Sequence, residues 1–312
     1  MANSVVTGRR ALLGAGATLA ATGAFVYRAA PAFWNQYTSD MKRHVLPAPH
    51  RPDPHLWPDK GLFGAWLGHS TVLIKVDGFT ILTDPVFSTR AGLNLGFTTL
   101  GLKRIVEPAL QIRDLPHIDL VLLSHAHMDH FDIPSLRQLE SPIRHVITAT
   151  RTSDLLRLPR YRSVTEIGWG QEHRVGPVSV HGIEVNHWGA RMRTDTYRGY
   201  NGYIIDAGQY RVMFAGDTAR TSKFRGVAGA RGVDLAIMPI GAYNPWIRFH
   251  CTPEEAWSMS EDARAERFLP VHHSTFLLSR EPVHEPIERL HAAASHRSDS
   301  VVLHSIGQEF KL

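Results

Sequence analysis

The segment Ser124-His125-Ala126-His127-Met128-Asp129-His130 places four metal-binding side chains within six residues. It directly follows the largely apolar run 118–123, which is typical of a strand covered on both faces. If the chain is still extended here, His125 and His127 point the same way. Imidazoles combined with a carboxylate suit zinc or a related divalent ion, and without one the cluster would be costly near a core. The segment therefore predicts a metal site at the end of a buried strand.

Three further candidate ligands end predicted strands later in the chain. His187 ends VSVHGIEVNH, Asp217 ends YRVMFAGD, and His272 ends FLPVH. Gly216 precedes Asp217 and allows a close backbone approach there. Each residue is weak evidence alone. Because ligands gather on loops at one edge of a rigid sheet, their common placement at strand ends adds them to the predicted site.

From Leu62 onward, short apolar runs alternate with turn signals and helical segments in two halves. Asp77-Gly78 predicts a hairpin turn between the second and third runs. Thr252, with Pro253 after it and Glu255 three residues on, predicts the start of a helix. The pattern indicates an α/β fold, with two packed sheets and helices outside, in a single four-layer αββα domain over residues 62–312.

The N-terminal residues 1–31 differ from the rest of the chain. Arg9 and Arg10 precede an uncharged run rich in Ala, Gly and Leu, a pattern that resembles a twin-arginine export signal. We expect an export signal or an uncleaved membrane anchor, and hence a bacterial periplasmic or membrane-anchored protein rather than a cytoplasmic one. Residues 32–61, with the proline-rich stretch PAPHRPDPHLWP, are expected to form an extended lead-in.

Composition excludes several classes of protein. The chain has 34 basic and 29 acidic residues, a net charge of +5, spread along its length rather than gathered in one basic block. This distribution does not indicate a nucleic-acid partner. The single cysteine, Cys251, excludes an intramolecular disulfide and a cysteine-rich zinc module. A nucleophilic pair with His250 is disfavoured because adjacent residues on an extended chain point apart.

The order of these motifs resembles the metallo-β-lactamase superfamily. Several blocks narrow the resemblance to the branch of N-acylphosphatidylethanolamine-hydrolysing phospholipases D, and more distantly to L-ascorbate-6-phosphate lactonases. These blocks are GAWLGHSTVLI, ILTDPVFSTRA, NHWGAR, FAGDT, PIGAYNP, HCTPEEA and PVHHSTF. The resemblance runs from about Leu62 to the end of the chain and implies the metallo-β-lactamase sandwich.

The resemblance also implies roles for individual residues. His125, His127 and His187 would hold one metal, Asp129, His130 and His272 the second, and Asp217 would bridge the two. His272 is preferred over His273 because it matches the histidine that follows the strand in the family. Asp129 and His250 are the expected catalytic residues, the latter placed to position or protonate the reacting group. His69 is expected to support a ligand rather than to bind metal itself.

The predicted activity is that of a dinuclear hydrolase, with two divalent ions expected to be Zn²⁺ and a metal-bridging hydroxide as nucleophile. The favoured substrates are phospholipid-like or related phosphoesters, so the expected partner is a small molecule or a lipid. Membrane association through residues 1–31 is also expected. The sequence does not predict the oligomeric state.

Other functions remain open at this stage. A lactonase or amide hydrolase could use the same site, and a non-catalytic lipid-binding protein is a further alternative. A di-iron redox protein of this fold usually has glutamate where His127 stands. A nuclease carries a large inserted domain, for which the interval from Asp217 to His272 is too short.

Overall fold

The computed structural model describes residues 31–96, 98–157, 159–227 and 229–312. The chain divides into two compact units, residues 1–44 and 45–312. The predicted export signal lies outside the described residues except for Pro31. Among the described residues, no helix combines the length and the apolar character that crossing a bilayer requires.

The described part of the first unit contains a helix, α1, over Pro31–Lys42. The prediction of an extended lead-in over 32–61 is therefore wrong for its first third. Proline occurs in this helix only at its first position, where its missing N–H is tolerated. Gln36 Nε2 also donates to Asp40 Oδ1 one turn later, at 2.9 Å. The prolines that suggested an extended chain all come after the helix.

The second unit begins at Val45, before the predicted boundary at Leu62. The intervening residues are integrated into it: Leu46 N donates to Ile105 O at 2.8 Å, and Trp57 stacks on Phe63 with ring centroids 6.3 Å apart. The segment from Pro47 to Pro58 lacks strands and has one short 3₁₀ helix, Pro54–Leu56. It packs along the sandwich instead of leading up to it.

Fifteen strands are present in the described residues. They are β1 Leu62–Gly68, β2 Thr71–Val76, β3 Phe79–Thr83, β4 Arg90–Asn94, β5 Thr99–Lys103, β6 Leu120–Leu123, β7 His145–Ala149, β8 Ser163–Ile167, β9 Glu172–Val175, β10 Val178–Ile183, β11 Gly202–Ala207, β12 Tyr210–Phe214, β13 Val233–Pro239, β14 Ala265–Val271 and β15 Glu309–Lys311. A seven-stranded sheet has the order β15-β1-β2-β3-β6-β7-β8, and a six-stranded sheet the order β14-β13-β12-β11-β10-β9. β4 and β5 form a separate hairpin.

Four further helices are described in this unit: α2 Ile133–Gln138, α3 Phe224–Val227, α4 Pro253–Asp262 and α5 Glu285–Ala293. Short 3₁₀ helices lie at Ile112–Asp114, Ser153–Leu156 and Ser295–Ser300. The predicted start of α4 is confirmed. Glu255 N donates to Thr252 Oγ1 at 3.3 Å and Thr252 N donates to Glu255 Oε2 at 3.0 Å, which closes a capping box.

The two sheets pack face to face. Along the strands of the six-stranded sheet, alternate apolar side chains point to opposite faces and enter different hydrophobic clusters. Phe214 and Leu269 join the core shared with the seven-stranded sheet. Their neighbours Met213 and Phe268 face the opposite way, into a second cluster with Trp257 of α4 and with α5. Because successive strand residues point to opposite faces, one apolar run serves two cores. The αββα architecture of the metallo-β-lactamase fold is confirmed.

The turn at Asp77-Gly78 also has the predicted geometry. Both residues have positive φ, 45° and 85°, as a tight hairpin between antiparallel strands requires. The hairpin β4–β5 was not predicted. A Cβ at Gly92 would lie 2.1 Å from Leu100 O, so these strands approach too closely for any larger residue.

Candidate metal centre

All seven predicted ligand residues converge at one edge of the two sheets. The segment His125–His130 follows β6 of the first sheet, while Asp217 and His272 follow β12 and β14 of the second. β12, β13 and β14 run parallel, so their carboxyl ends meet at one edge. His187 lies four residues beyond the observed end of β10, on the loop that follows that strand.

One group of ligand atoms consists of three imidazole nitrogens and a carboxylate. His127 Nδ1 lies 2.9 Å from His125 Nε2 and 3.3 Å from His187 Nε2. Asp217 Oδ2 lies 3.9 Å from His125 Nε2 and 3.8 Å from His187 Nε2. All four residues offer ligand atoms that fall within 4.8 Å of one another. This is the predicted first ligand set.

A second group lies beside it and shares the same carboxylate oxygen. Asp217 Oδ2 is 3.1 Å from both His130 Nε2 and His272 Nε2. Asp129 Oδ2 lies 3.7 Å from His130 Nε2 and 3.6 Å from His272 Nε2. Asp217 Oδ2 therefore stands between the two groups, in the position required of a bridging ligand.

The donor set fits divalent metal ions. With zinc–nitrogen distances of about 2.0–2.1 Å, tetrahedral ligand atoms are spaced about 3.3 Å apart, close to the separations in the first group. Three ligand-type atoms, His130 Nε2, His272 Nε2 and Asp217 Oδ1, are buried without a well-angled hydrogen bond. Buried polar atoms are normally satisfied, so these atoms are suited to a metal. The clusters are able to bind metal.

Hydrogen bonds on the far side of three rings fix which nitrogen is free to bind. Ser124 Oγ donates its hydrogen bond to Asp84 Oδ2. It therefore accepts a hydrogen bond from His125 Nδ1, at 2.8 Å. His187 Nδ1 donates to Phe249 O at 2.8 Å, and His130 Nδ1 donates to Asp84 Oδ2 at 2.7 Å. Each bond places the proton on Nδ1 and leaves the Nε2 lone pair to face the centre.

Asp84 is the main functional residue that the sequence analysis missed. Its buried carboxylate accepts hydrogen bonds from Ser124 N at 2.7 Å, Ser124 Oγ at 2.5 Å and His130 Nδ1 at 2.7 Å. It follows β3, next to β6 in the sheet, and has a strained φ of 31°. The signal was present in the block ILTDPVFSTRA, where an aspartate ends a predicted strand.

The remaining predicted residues also border the cluster. His69 Nε2 lies 3.0 Å from Asp129 Oδ2, and His69 also offers a ligand atom within 4.8 Å of those of Asp129, His130 and His272. His250 Nδ1 is 3.9 Å from Asp217 Oδ2, buried, and without a hydrogen-bond partner among the described residues. His273 turns away from the ligand groups. It stacks on Trp66 at 4.6 Å between ring centroids, which leaves His272 as the member of the cluster.

Burial and neighbouring charges shift the pKa values of the site histidines in opposite directions. Burial lowers the pKa of both His130 and His272, but the carboxylates of Asp217 and Asp129 outweigh this effect. The pKa of His130 is raised well above its usual range, and that of His272 is raised to about 9. Burial and neighbouring imidazoles hold the pKa of His125 well below its usual range. Protons and metal ions thus compete for the nitrogens of the second group.

A cavity of about 340 Å³ opens onto the cluster. Its floor includes Asp217 and His272, and its walls include Trp188, Trp246 and Arg191. At the mouth of the cavity, the side chains of Trp188 and Trp246 are 41% and 51% exposed, which is more than is usual for tryptophans in a protein core. The site thus joins a metal-binding floor to apolar walls and, among the described residues, a single lining arginine.

The chain is similar to known proteins over most of its length. The family described as a β-lactamase superfamily domain matches residues 80–273. An uncharacterized protein of Mycobacterium tuberculosis is 32% identical over 283 residues, covering 86% of this chain and 75% of its own length. The N-acyl-phosphatidylethanolamine-hydrolyzing phospholipase D 1 of Caenorhabditis elegans is 28% identical over 260 residues, covering 77% and 72%.

The fold also matches a solved structure. A novel metallo hydrolase from the archaeon Ignicoccus hospitalis superposes with a TM-score of 0.61 at 18% identity, covering 81% of this chain and 99% of the archaeal one. At this identity the likeness establishes the common fold.

Proposed function

Since the chain belongs to the β-lactamase superfamily and is a metal-dependent hydrolase, we propose that it is a dinuclear zinc phosphodiesterase acting on phospholipid-like substrates. The observation that carries this proposal is the composition of the cavity. A metal-binding floor, half-exposed tryptophan walls and a lining arginine suit a substrate that is anionic at one end and apolar at the other. The phospholipase D name of the nematode relative supports the same substrate class.

In this mechanism, bound divalent ions would activate water near neutral pH and neutralise the charge that develops on the phosphoryl oxygens. His125, His127 and His187 would hold one ion, and Asp129, His130 and His272 the other. Asp217, which lies near histidines of both groups, would contribute to both sites, and His69 would keep the Asp129 carboxylate in place through their 3.0 Å contact. No serine or cysteine nucleophile is required. Burial raises the pKa of the Cys251 thiol above its usual range, which keeps it inert.

His250 would act on the leaving group as a neutral imidazole. Burial lowers its pKa to about 4, although Asp217 opposes this, so the ring is uncharged at neutral pH. Its Nδ1 has no partner among the described residues and the side chain lines the cavity. We therefore assign it the role of donating a hydrogen bond to the leaving oxygen, rather than that of a cationic acid.

The test uses full-length protein loaded with zinc and analysed for metal content. We expect hydrolysis of bis-p-nitrophenyl phosphate and of N-acylphosphatidylethanolamine in mixed micelles, with two zinc ions per chain. His127→Ala should abolish activity, whereas His273→Ala, outside the ligand groups, should retain it. Hydrolysis confined to lactones or amides, or loaded protein inactive on every substrate, would overturn the proposal.

Residues 1–31 lie almost entirely outside the described part, and their role is a separate proposal. We propose that they direct export by the twin-arginine route, or anchor the enzyme to the membrane, where phospholipid is available. Replacing both Arg9 and Arg10 by lysine should retain the protein in the cytoplasm, as measured by cell fractionation. Unchanged export of this variant would refute the assignment.

A further inference from the structure

Arg191 connects the two segments that carry most of the ligands. It lies four residues after His187, on the loop between β10 and β11. Its Nη1 donates to two backbone carbonyls that flank the histidine-rich segment, Ala126 O at 2.9 Å and Phe131 O at 2.8 Å. The guanidinium also lies over the Phe131 ring, 6.0 Å from its centroid. These contacts hold the guanidinium in a fixed orientation at the cavity wall.

The rest of this guanidinium is unused. Within the described chain, neither Nε nor Nη2 of Arg191 has a hydrogen-bond partner, and neither is enclosed by protein. Burial lowers the pKa of Arg191, and three nearby acids that oppose this shift are engaged elsewhere. Asp129 contacts His69 Nε2 at 3.0 Å. Asp132 accepts from Ser88 Oγ at 2.6 Å, and Asp195 accepts from Arg198 Nε at 2.6 Å. Arg191 therefore brings a positive charge and spare N–H donors to the cavity without an ion pair of its own in the described residues.

Arg198 on the same loop shows the usual alternative. Its guanidinium forms ion pairs with two carboxylates, with Nη1 2.6 Å from Asp154 Oδ1 and Nε 2.6 Å from Asp195 Oδ2. An arginine so engaged has a structural role. The contrast indicates that the free donors of Arg191 serve a ligand that enters the cavity.

We propose that Arg191 is the anion-recognition residue of the site and donates from Nε and Nη2 to the two non-bridging oxygens of the substrate phosphodiester. This inference rests on the proposed function. A guanidinium presents parallel N–H groups that match two phosphate oxygens, and its two carbonyl contacts pre-order it before the substrate arrives. The residue thus selects anionic phosphodiesters over neutral lactones and amides, which offer no charge to pair with it.

The experiment compares Arg191→Gln with Arg193→Gln, a matched change at an exposed arginine two residues along the same loop. Inorganic phosphate binding to the zinc-loaded full chain is measured by calorimetry. Loss of a charged hydrogen-bonding pair predicts binding about 10- to 100-fold weaker for Arg191→Gln and unchanged for Arg193→Gln. Equal phosphate affinity in wild type and Arg191→Gln, or no phosphate binding by the wild type, would overturn the inference.

A second measurement separates recognition from support of the loop. We expect Arg191→Gln to raise KM for bis-p-nitrophenyl phosphate while leaving neutral p-nitrophenyl acetate hydrolysis and zinc content near wild type, and Arg191→Lys to recover part of the loss. Zinc loss with an equal decline on both substrates would make Arg191 a support for the metal loop only, against the inference. If wild type cleaves no phosphodiester yet phosphate binding still depends on Arg191, the proposed function fails while the anion site stands.

Discussion

Asp84→Asn is the most informative single change, because the structure specifies what each atom of the carboxylate does. Asp84 Oδ1 accepts from Ser124 N, while Oδ2 accepts from Ser124 Oγ and His130 Nδ1. An asparagine can keep its oxygen toward Ser124 N only by turning its amide toward His130. A donor would then face Nδ1–H, and the ring would have to move its proton to Nε2, the nitrogen that faces the metal centre.

The expected loss of affinity concerns both metal ions, through His130 directly and through His125 by way of Ser124. Loss of such an orienting partner typically weakens metal binding about 10- to 100-fold, which corresponds to about 1.4–2.8 kcal/mol. His130 belongs to the second ligand group. The same amide would also face Ser124 Oγ, which accepts from His125 Nδ1 of the first group, so the ions of both groups should be weakened. Competition titration against a chromophoric zinc chelator resolves the two affinities, and kcat/KM should fall with the weaker ion.

The matched control is Asp119→Asn. This carboxylate also accepts from a backbone N–H, Thr80 N at 2.8 Å, but it precedes β6 whereas the ligand segment follows it. The control should bind both ions as the wild type does. If Asp84→Asn also retains both zinc affinities, Asp84 does not orient His130 toward the metal.

Three further predictions concern the same centre. His272→Ala should lose about one zinc per chain by elemental analysis while His273→Ala keeps two; equal loss would contradict the ligand choice. Because the pKa of His272 is raised to about 9, the metal-free protein carries a proton there below that pH, so apparent zinc affinity should rise up to about tenfold per pH unit between pH 7 and 9. Calorimetry in buffers of different ionisation enthalpy should detect the released proton, and a flat profile would refute this. Gly216→Ala should lower the free energy of unfolding by more than about 1–2 kcal/mol in urea titration, since Gly216 has a φ of 59° and its Cβ would lie 2.7 Å from Asn201 O.

The sequence predicted the parts of this protein whose signals are local. The histidine-rich segment carries four metal-binding side chains within six residues, and its placement after a buried strand was enough to locate the site. The capping box at Thr252 and the turn at Asp77-Gly78 are equally local, and both have the predicted geometry. His187, Asp217 and His272 are isolated residues after different strands, so only their shared position at strand ends added them to the site, and the family resemblance assigned each its role.

Contacts between distant segments were not predictable in this way. Asp84 is 40 residues from Ser124, and only the neighbouring position of β3 and β6 brings them together. Arg191 was quoted within a family block, but its two carbonyl contacts depend on how the loop after β10 folds over the ligand segment. Helix α1 was missed because the prolines after it dominated the interpretation of residues 32–61.

The position of the ligands at the seam of the sandwich has a consequence for the lifetime of the protein. The seven-stranded sheet supplies His125–His130 and the six-stranded sheet supplies Asp217 and His272, so a bound ion would cross-link the two halves. An ion that binds only the folded chain stabilises it by about 4 kcal/mol at a thousand times its dissociation constant. Metal supply in the cell would then influence the abundance of the enzyme as well as its activity, because chains without a bound ion would unfold more often and be degraded sooner.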